Sequence, residues 1–144
     1  MTMGIWAMAL AAVLFSGGLA LAERQAVGSP VANIRSGPGS KYEIIWKVGQ
    51  YHPLEIVEKS GNWFRFKDFE GDTGWIHKSL VRKLPTLITT KPVCNVRSGP
   101  GTGYDVRFTV EKGIPFKKLK TKGSWIQVEH ADGDRGWIHK SLVW

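Results

Sequence analysis

Apolar and polar residues alternate with a period of two over Trp63-Phe-Arg-Phe-Lys67, and again over Trp125-Ile-Gln-Val-Glu129. A period of two places Phe64 and Phe66 on one face of a strand, and Ile126 and Val128 on the matching face of another. Those four are assigned to the core, together with Ile76, Leu80, Ile138 and Leu142. Trp63 then sides with Arg65 and Lys67, and Trp125 with Gln127 and Glu129, on the polar face. Leu54 to Val57 and Phe116 to Leu119 are short apolar-rich runs that read as further strands. Ser36-Gly-Pro-Gly39, Ser60-Gly-Asn62, Glu70-Gly-Asp72 and their later counterparts supply turns between these runs. Beyond the first 22 residues no helical stripe of ten or more residues is found, so the pattern predicts an all-β chain.

The pattern occurs twice. Val31-Ala-Asn-Ile-Arg-Ser-Gly-Pro-Gly39 returns as Val93-Cys-Asn-Val-Arg-Ser-Gly-Pro-Gly101, and Gly71-Asp-Thr-Gly-Trp-Ile-His-Lys-Ser-Leu-Val81 as Gly133-Asp-Arg-Gly-Trp-Ile-His-Lys-Ser-Leu-Val143. Both recurrences are offset by 62 residues, as are Tyr42 and Tyr104, Pro53 and Pro115, and Trp63 and Trp125. Two ungapped copies of one unit therefore follow the leader. Units of roughly 60 residues with about five short strands predict two small, partly open barrels. Such units lie near the lower size limit for an independent core, and their large aromatics compensate by burying much area per residue. The β-prone run Leu87-Ile-Thr-Thr90 reads as the first strand of the second unit, matching Gln25-Ala-Val-Gly28 in the first. This leaves a linker of a few residues around Lys83 to Thr86, stiffened by Pro85, and a restricted mutual orientation. The expected organisation is a leader at 1–22, a first barrel at 23–84 and a second at 85–144.

Met1 to Ala22 holds no Asp, Glu, Lys or Arg. An apolar run from Ile5 to Phe15 precedes Ala20-Leu-Ala22, which fits the small-x-small rule of a signal peptide cleaved before Glu23. A basic n-region is missing, and Ile5 to Ala22 approaches the length of a membrane span, so an uncleaved anchor stands as the other reading. A membrane enters only in that case. No cysteine stands directly after the leader, which argues against a lipid-anchored form. The single cysteine, Cys94, rules out a disulfide framework within the monomer and a cysteine-based zinc site. An exported product, periplasmic or extracellular, is expected. The formal charge of +8 is unevenly divided, with +1 from Val31 to Val81 and +4 from Val93 to Val143. Lys117, Lys118 and Lys120 crowd one strand of the second unit, where a basic field would attract an anionic polymer. A basic barrel with exposed aromatics also suits nucleic acid, but export argues against that partner.

The order Asn-Ile/Val-Arg-Ser-Gly-Pro-Gly, then Tyr, then Gly-Asn/Ser-Trp, then Gly-Trp-Ile-His-Lys-Ser-Leu-Val resembles the bacterial SH3 domain (SH3b) family across both units. The resemblance implies five- to six-stranded barrels and a binding role in the bacterial envelope, often beside a cell-wall hydrolase. No such catalytic domain is recognisable in these residues. It also implies a 3₁₀ turn at Lys78 to Leu80 and at Lys140 to Leu142, with each leucine pointing inward.

Recognition is expected at Trp63 and Trp125, whose rings on a polar face suit stacking on a sugar or a peptide; packing under a loop is the other reading. Tyr42 and Tyr104 follow the Gly-Pro-Gly loop and stand as a second groove wall or as packing residues. Arg65 joins Trp63 on its face. Lys117, Lys118 and Lys120 complete the candidate ligand-binding set. Arg35 and Arg97 are expected to brace the adjoining loops through backbone carbonyls. His77 and His139 suit a hydrogen bond into a turn, whereas His52 and His130 have no repeat counterparts and receive no role. Cys94 aligns with Ala32 and lacks an activating constellation, so it is not read as a nucleophile. No cofactor, no metal and no catalytic residue are assigned. The expected function is non-catalytic recognition of cell-wall peptidoglycan or another envelope component. The alternative is an adaptor that binds peptide segments of an envelope partner such as a cell-wall hydrolase.

Overall fold

The computed structural model describes residues 23–144, and the leader expected at Met1 to Ala22 lies outside them. Among the described residues, no helix is long and apolar enough to cross a membrane. Strands β1 (Glu23–Val27), β2 (Val31–Arg35), β3 (Ile44–Gly49), β4 (Pro53–Ser60), β5 (Trp63–Lys67), β6 (Thr73–His77) and β7 (Val81–Arg82) form one sheet in the order β3-β2-β6-β5-β4-β1-β7. Strands β8 (Thr86–Ile88), β9 (Cys94–Arg97), β10 (Val106–Val110), β11 (Pro115–Lys122), β12 (Trp125–Glu129) and β13 (Arg135–His139) form a second, ordered β10-β9-β13-β12-β11-β8. The strands pair antiparallel, and each ladder has two edges, so neither sheet closes on itself by strand pairing.

The alternating segments become β5 and β12 with the register their pattern requires. Phe66, Ile76, Val128 and Ile138 are fully buried and Ile126 nearly so. Each sheet wraps one apolar cluster, the first holding Ile34, Leu54, Ile56 and Phe66, the second Val96, Phe116, Val128 and Ile138. Phe64, Leu80 and Leu142 are only half-buried, packed against their cluster from its rim. The β4–β5 hairpin explains Phe64: it pairs with Lys59 near the turn, and the Lys59 ammonium covers its ring at 5.2 Å. That hairpin turns at Gly61, whose φ of 58° lies in the left-handed region that glycine adopts without a Cβ penalty. Gly123 repeats the geometry at 59°.

The two clusters exchange bulk between strands. Leu54 on β4 and Phe66 on β5 correspond through the repeat to Phe116 on β11 and Val128 on β12. The large ring therefore enters from β5 in one unit and from β11 in the other, a swap that roughly conserves volume.

Only Lys83, Leu84 and Pro85 separate β7 from β8. Leu87 and Ile88 lie in β8, and Thr89 adds an isolated bridge to Val143. Arg24 on β1 spans the two sheets, donating from Nη2 to the carbonyls of Thr86 (3.2 Å) and Trp144 (2.7 Å). Its guanidinium also stacks over the Trp144 ring at 4.1 Å. A second tie pairs Lys112 with Glu70 at 3.8 Å. The Lys112 pair is half-exposed and contributes little. Hydrogen bonds from a charged donor are each worth about 1.5–3 kcal/mol, so Arg24→Ala is expected to loosen the two units while leaving each folded. Small-angle scattering should then show a broader distribution of interunit distances. An unchanged profile would mean that the three-residue connection alone sets the orientation.

Candidate functional site

Residues directly opposite one another in an antiparallel pair share a face, which defines the outer surface of each sheet. In the first unit Trp63 pairs with His77, while Arg35, Trp75 and Arg65 follow one another across β2, β6 and β5. Glu58 continues that row on β4, its Oε2 lying 2.9 Å from Arg65 Nε. The Nε–H direction misses hydrogen-bond geometry despite that distance, so the contact is an ion pair. In the second unit Trp125 pairs with His139, and the corresponding row is Arg97, Trp137, Gln127 and Lys120. Lys120 takes the place of Glu58 and holds its ammonium 5.7 Å from the centre of the Trp137 ring.

The Trp63 and His77 rings meet edge to face with centroids 5.2 Å apart, as do those of Trp125 and His139. Each imidazole is fixed from its other side. The Ser79 amide donates to His77 Nδ1 at 3.2 Å, and the Ser141 amide to His139 Nδ1 at 3.1 Å, capping the 3₁₀ turns Lys78–Leu80 and Lys140–Leu142. The expected turn hydrogen bond is therefore present in both units, and it fixes the imidazole beside the tryptophan.

Arg35 Nη1 donates to the carbonyls of Ser40 (3.1 Å) and Tyr42 (2.8 Å), and Arg97 Nη1 to those of Thr102 and Tyr104, both at 3.1 Å. This is the bracing read from the sequence. Tyr42 and Tyr104 lie over their own loops: a Cβ on Gly37 would stand 2.4 Å from the Tyr42 ring, and one on Gly99 would stand 2.3 Å from that of Tyr104. Both rings keep substantial exposure, 39% for Tyr42 and 50% for Tyr104.

A groove of about 240 Å³ opens in the second unit, lined by Asn95, Arg97, Thr102, Trp125, His139 and Leu142 among others. It joins Trp125 to the braced loop through Arg97 and Thr102, and Tyr104 is not part of its lining. The three lysines separate. Lys117 lies opposite Glu129 and Lys120 opposite Gln127, both on the outer face. Lys118 lies opposite Val128, where the first unit has buried Ile56, and emerges at the junction beside Arg24, Leu84 and Pro85. Alternation puts Lys117 and Lys118 on opposite faces, and a bulge between Lys118 and Lys120 returns Lys120 to the face of Lys117.

Cys94 is fully buried, with Sγ 3.4 Å from the Lys91 carbonyl, and burial pushes its thiol up. A raised, inaccessible thiol is unsuited to nucleophilic attack.

Sequence reasoning missed a cleft of about 510 Å³ between the units, where Trp46, His52, Asp68 and Asp72 face Gly113 and Pro115. His52 aligns with Ile114 and Asp68 with His130, so the available signal was departure from the repeat. Burial holds the His52 imidazole below its ordinary 6.5, partly offset by the nearby Asp68 carboxylate. A histidine with a depressed folded-state pKa binds its proton more tightly when unfolded. Its stability contribution is therefore complete above the unfolded value and is lost as pH falls below about 6.5. Urea titrations across this range should show that loss, and His52→Gln should flatten it. An unchanged slope would assign the effect to other groups.

The family model described as the bacterial SH3 domain matches residues 28–83 and 90–144. Bacillus subtilis YrvJ, provisionally named an N-acetylmuramoyl-L-alanine amidase, is 28% identical over 122 residues, covering 77% of this chain and 23% of YrvJ. Staphylococcus epidermidis LytH, provisionally named a cell wall amidase, is 42% identical over 52 residues, or 35% of this chain and 18% of LytH. The chain thus spans less than a quarter of either relative. An NlpC/P60 family protein from Bacillus cereus aligns over 85% of this chain and 56% of its own, with 13% identity and a TM-score of 0.41. With the family model matched in both repeats, over most of its length, the chain belongs to the bacterial SH3 domain family.

Proposed function

We propose that the protein is a non-catalytic, exported binding protein whose two units, 23–84 and 85–144, are SH3-like barrels that recognise cell-wall peptidoglycan. The observation that carries this reading is the repeated Trp–His pair beside an arginine-braced loop, which in the second unit borders an open groove. An aromatic ring next to fixed polar groups suits a ring with one apolar face and several hydroxyl or amide groups. The Trp63 and Trp125 rings would supply the stacking surface. Arg65, Lys117 and Lys120 lie on the same outer faces and would favour anionic carboxylates. Tyr42 and Tyr104 would shape the loops from outside the groove, and Lys118 would act at the junction.

Membership in the bacterial SH3 family and the cell-wall names of the relatives support the choice of wall polymer over other ligands. Co-sedimentation with purified peptidoglycan tests it, alongside a pull-down from envelope extract. Pelleting with the wall alone is the expected result. Recovery of one stoichiometric protein partner without wall binding would replace this reading with the adaptor one.

A further inference from the structure

The cleft between the units has a polarity opposite to that of the chain. The protein carries a formal charge of +8, yet the titratable residues lining this cleft are His52, Asp68, Asp72 and Lys47. A neighbouring depression shares Gly49 and Pro115 with it and adds Asp132 and His130. Asp68 is 8% exposed, and its Oδ1 accepts the amides of Glu70 and Asp72, both at 2.9 Å. Those two bonds fix the carboxylate and leave Oδ2 without a hydrogen bond among the described residues.

His52 supplies an independent observation. It is 9% exposed, lines the same cleft, and its Nε2 has no hydrogen-bond partner among the described residues. Buried polar atoms are nearly always paired, and an unpaired one in the wall of a cleft lacks a partner that a water, an ion or a ligand can supply. Trp46 adds an aromatic wall whose ring is held edge-on by Phe66 at 6.2 Å. A cavity of about 510 Å³ lies in the range of small-molecule sites.

We propose that this cleft binds a small ligand carrying a primary ammonium beside a flat hydrocarbon face, the ammonium on Asp68 and Asp72 and the hydrocarbon on Trp46. An ammonium gains from two carboxylates, one of them pre-positioned, and from the aromatic ring beside them. An amino sugar with an unacetylated amine and the side chain of a diamino acid both present this chemistry. The site is separate from Trp63 and Trp125 and does not depend on what those residues bind.

Chemical-shift titration of the protein, following His52 and Trp46, tests the proposal with glucosamine, N-acetylglucosamine, lysine amide and Nε-acetyl-lysine amide. Glucosamine or lysine amide should shift both side chains, and which of them does so identifies the source. The acetylated analogues should bind at least about tenfold more weakly, as should the Asp68→Asn/Asp72→Asn variant toward the amines. Asparagine at 68 retains Oδ1 for the turn, and Asp72→Asn alone serves if the double variant melts early. Trp63→Ala/Trp125→Ala should leave the amine titration unchanged even if it abolishes wall binding. Resonances unmoved by amine on the order of 50 mM, equal binding of the acetylated probes, or full binding by the Asp variants would overturn the proposal.

Discussion

Phe66→Ala is expected to destabilise the first unit by about 3–5 kcal/mol, enough to unfold a domain of this size under mild conditions. Phe66 is fully buried, pairs with Ile56 on β4 and Gly74 on β6, and meets the Trp46 ring edge-on. Few neighbours can collapse into the space, because both flanking strands are held by their ladders. The second unit predicts the complementary result. Val128→Ala, at the same repeat position, removes far less volume, whereas Phe116→Ala should reproduce the large loss there. Calorimetry of the three variants would show an early transition for Phe66→Ala and Phe116→Ala. A melting curve unchanged by Phe66→Ala would contradict the burial pattern of β5.

The second large effect is on binding. If the tryptophans form the recognition surface, Trp63→Ala and Trp125→Ala should each weaken retention on peptidoglycan. An aromatic hot spot contributes about 2 kcal/mol or more, near a thirtyfold change in affinity. Both side chains lie opposite the core, so the fold should persist, although loss of the edge contact will free His77 or His139. Lys117→Glu/Lys120→Glu should act differently, through the field. Its effect should be largest at low ionic strength and fade as the Debye length falls to about 8 Å at physiological salt. Binding kept by both Trp variants but lost by the Lys variant at every salt concentration would move the site to the basic outer face of β11.

The face assignments of β5 and β12 were legible because a strand's period of two is local and both repeats obey it. Arg35 and Arg97 were legible for the same reason, since each brace spans seven residues or fewer within one loop. Lys120 was not. Its face depends on a bulge, which shifts the register without an obvious mark in the residues themselves. Tyr104 resisted differently: proximity to the loop was readable, but its ring covers Gly99 rather than lining the groove. The cleft at His52 and the bridge from Arg24 involve contacts between units, and a repeat carries no information about how its copies meet. What pointed there was non-identity, with His52 opposite Ile114 in the alignment and Asp68 opposite His130.

The bridge from Arg24 to Thr86 and Trp144 has a consequence for avidity. Two modules on a floppy tether sample many separations, and the second binds at an effective concentration set by tether length. Here three connecting residues and the Arg24 contacts leave almost no slack. Under the proposed function, a polymer whose repeat matches the fixed separation would engage both units at little further entropic cost. One with another spacing would engage a single unit and gain nothing from the second. The tandem would then select by periodicity as well as by the chemistry of one subunit. Freeing Arg24 would exchange that selectivity for tolerance.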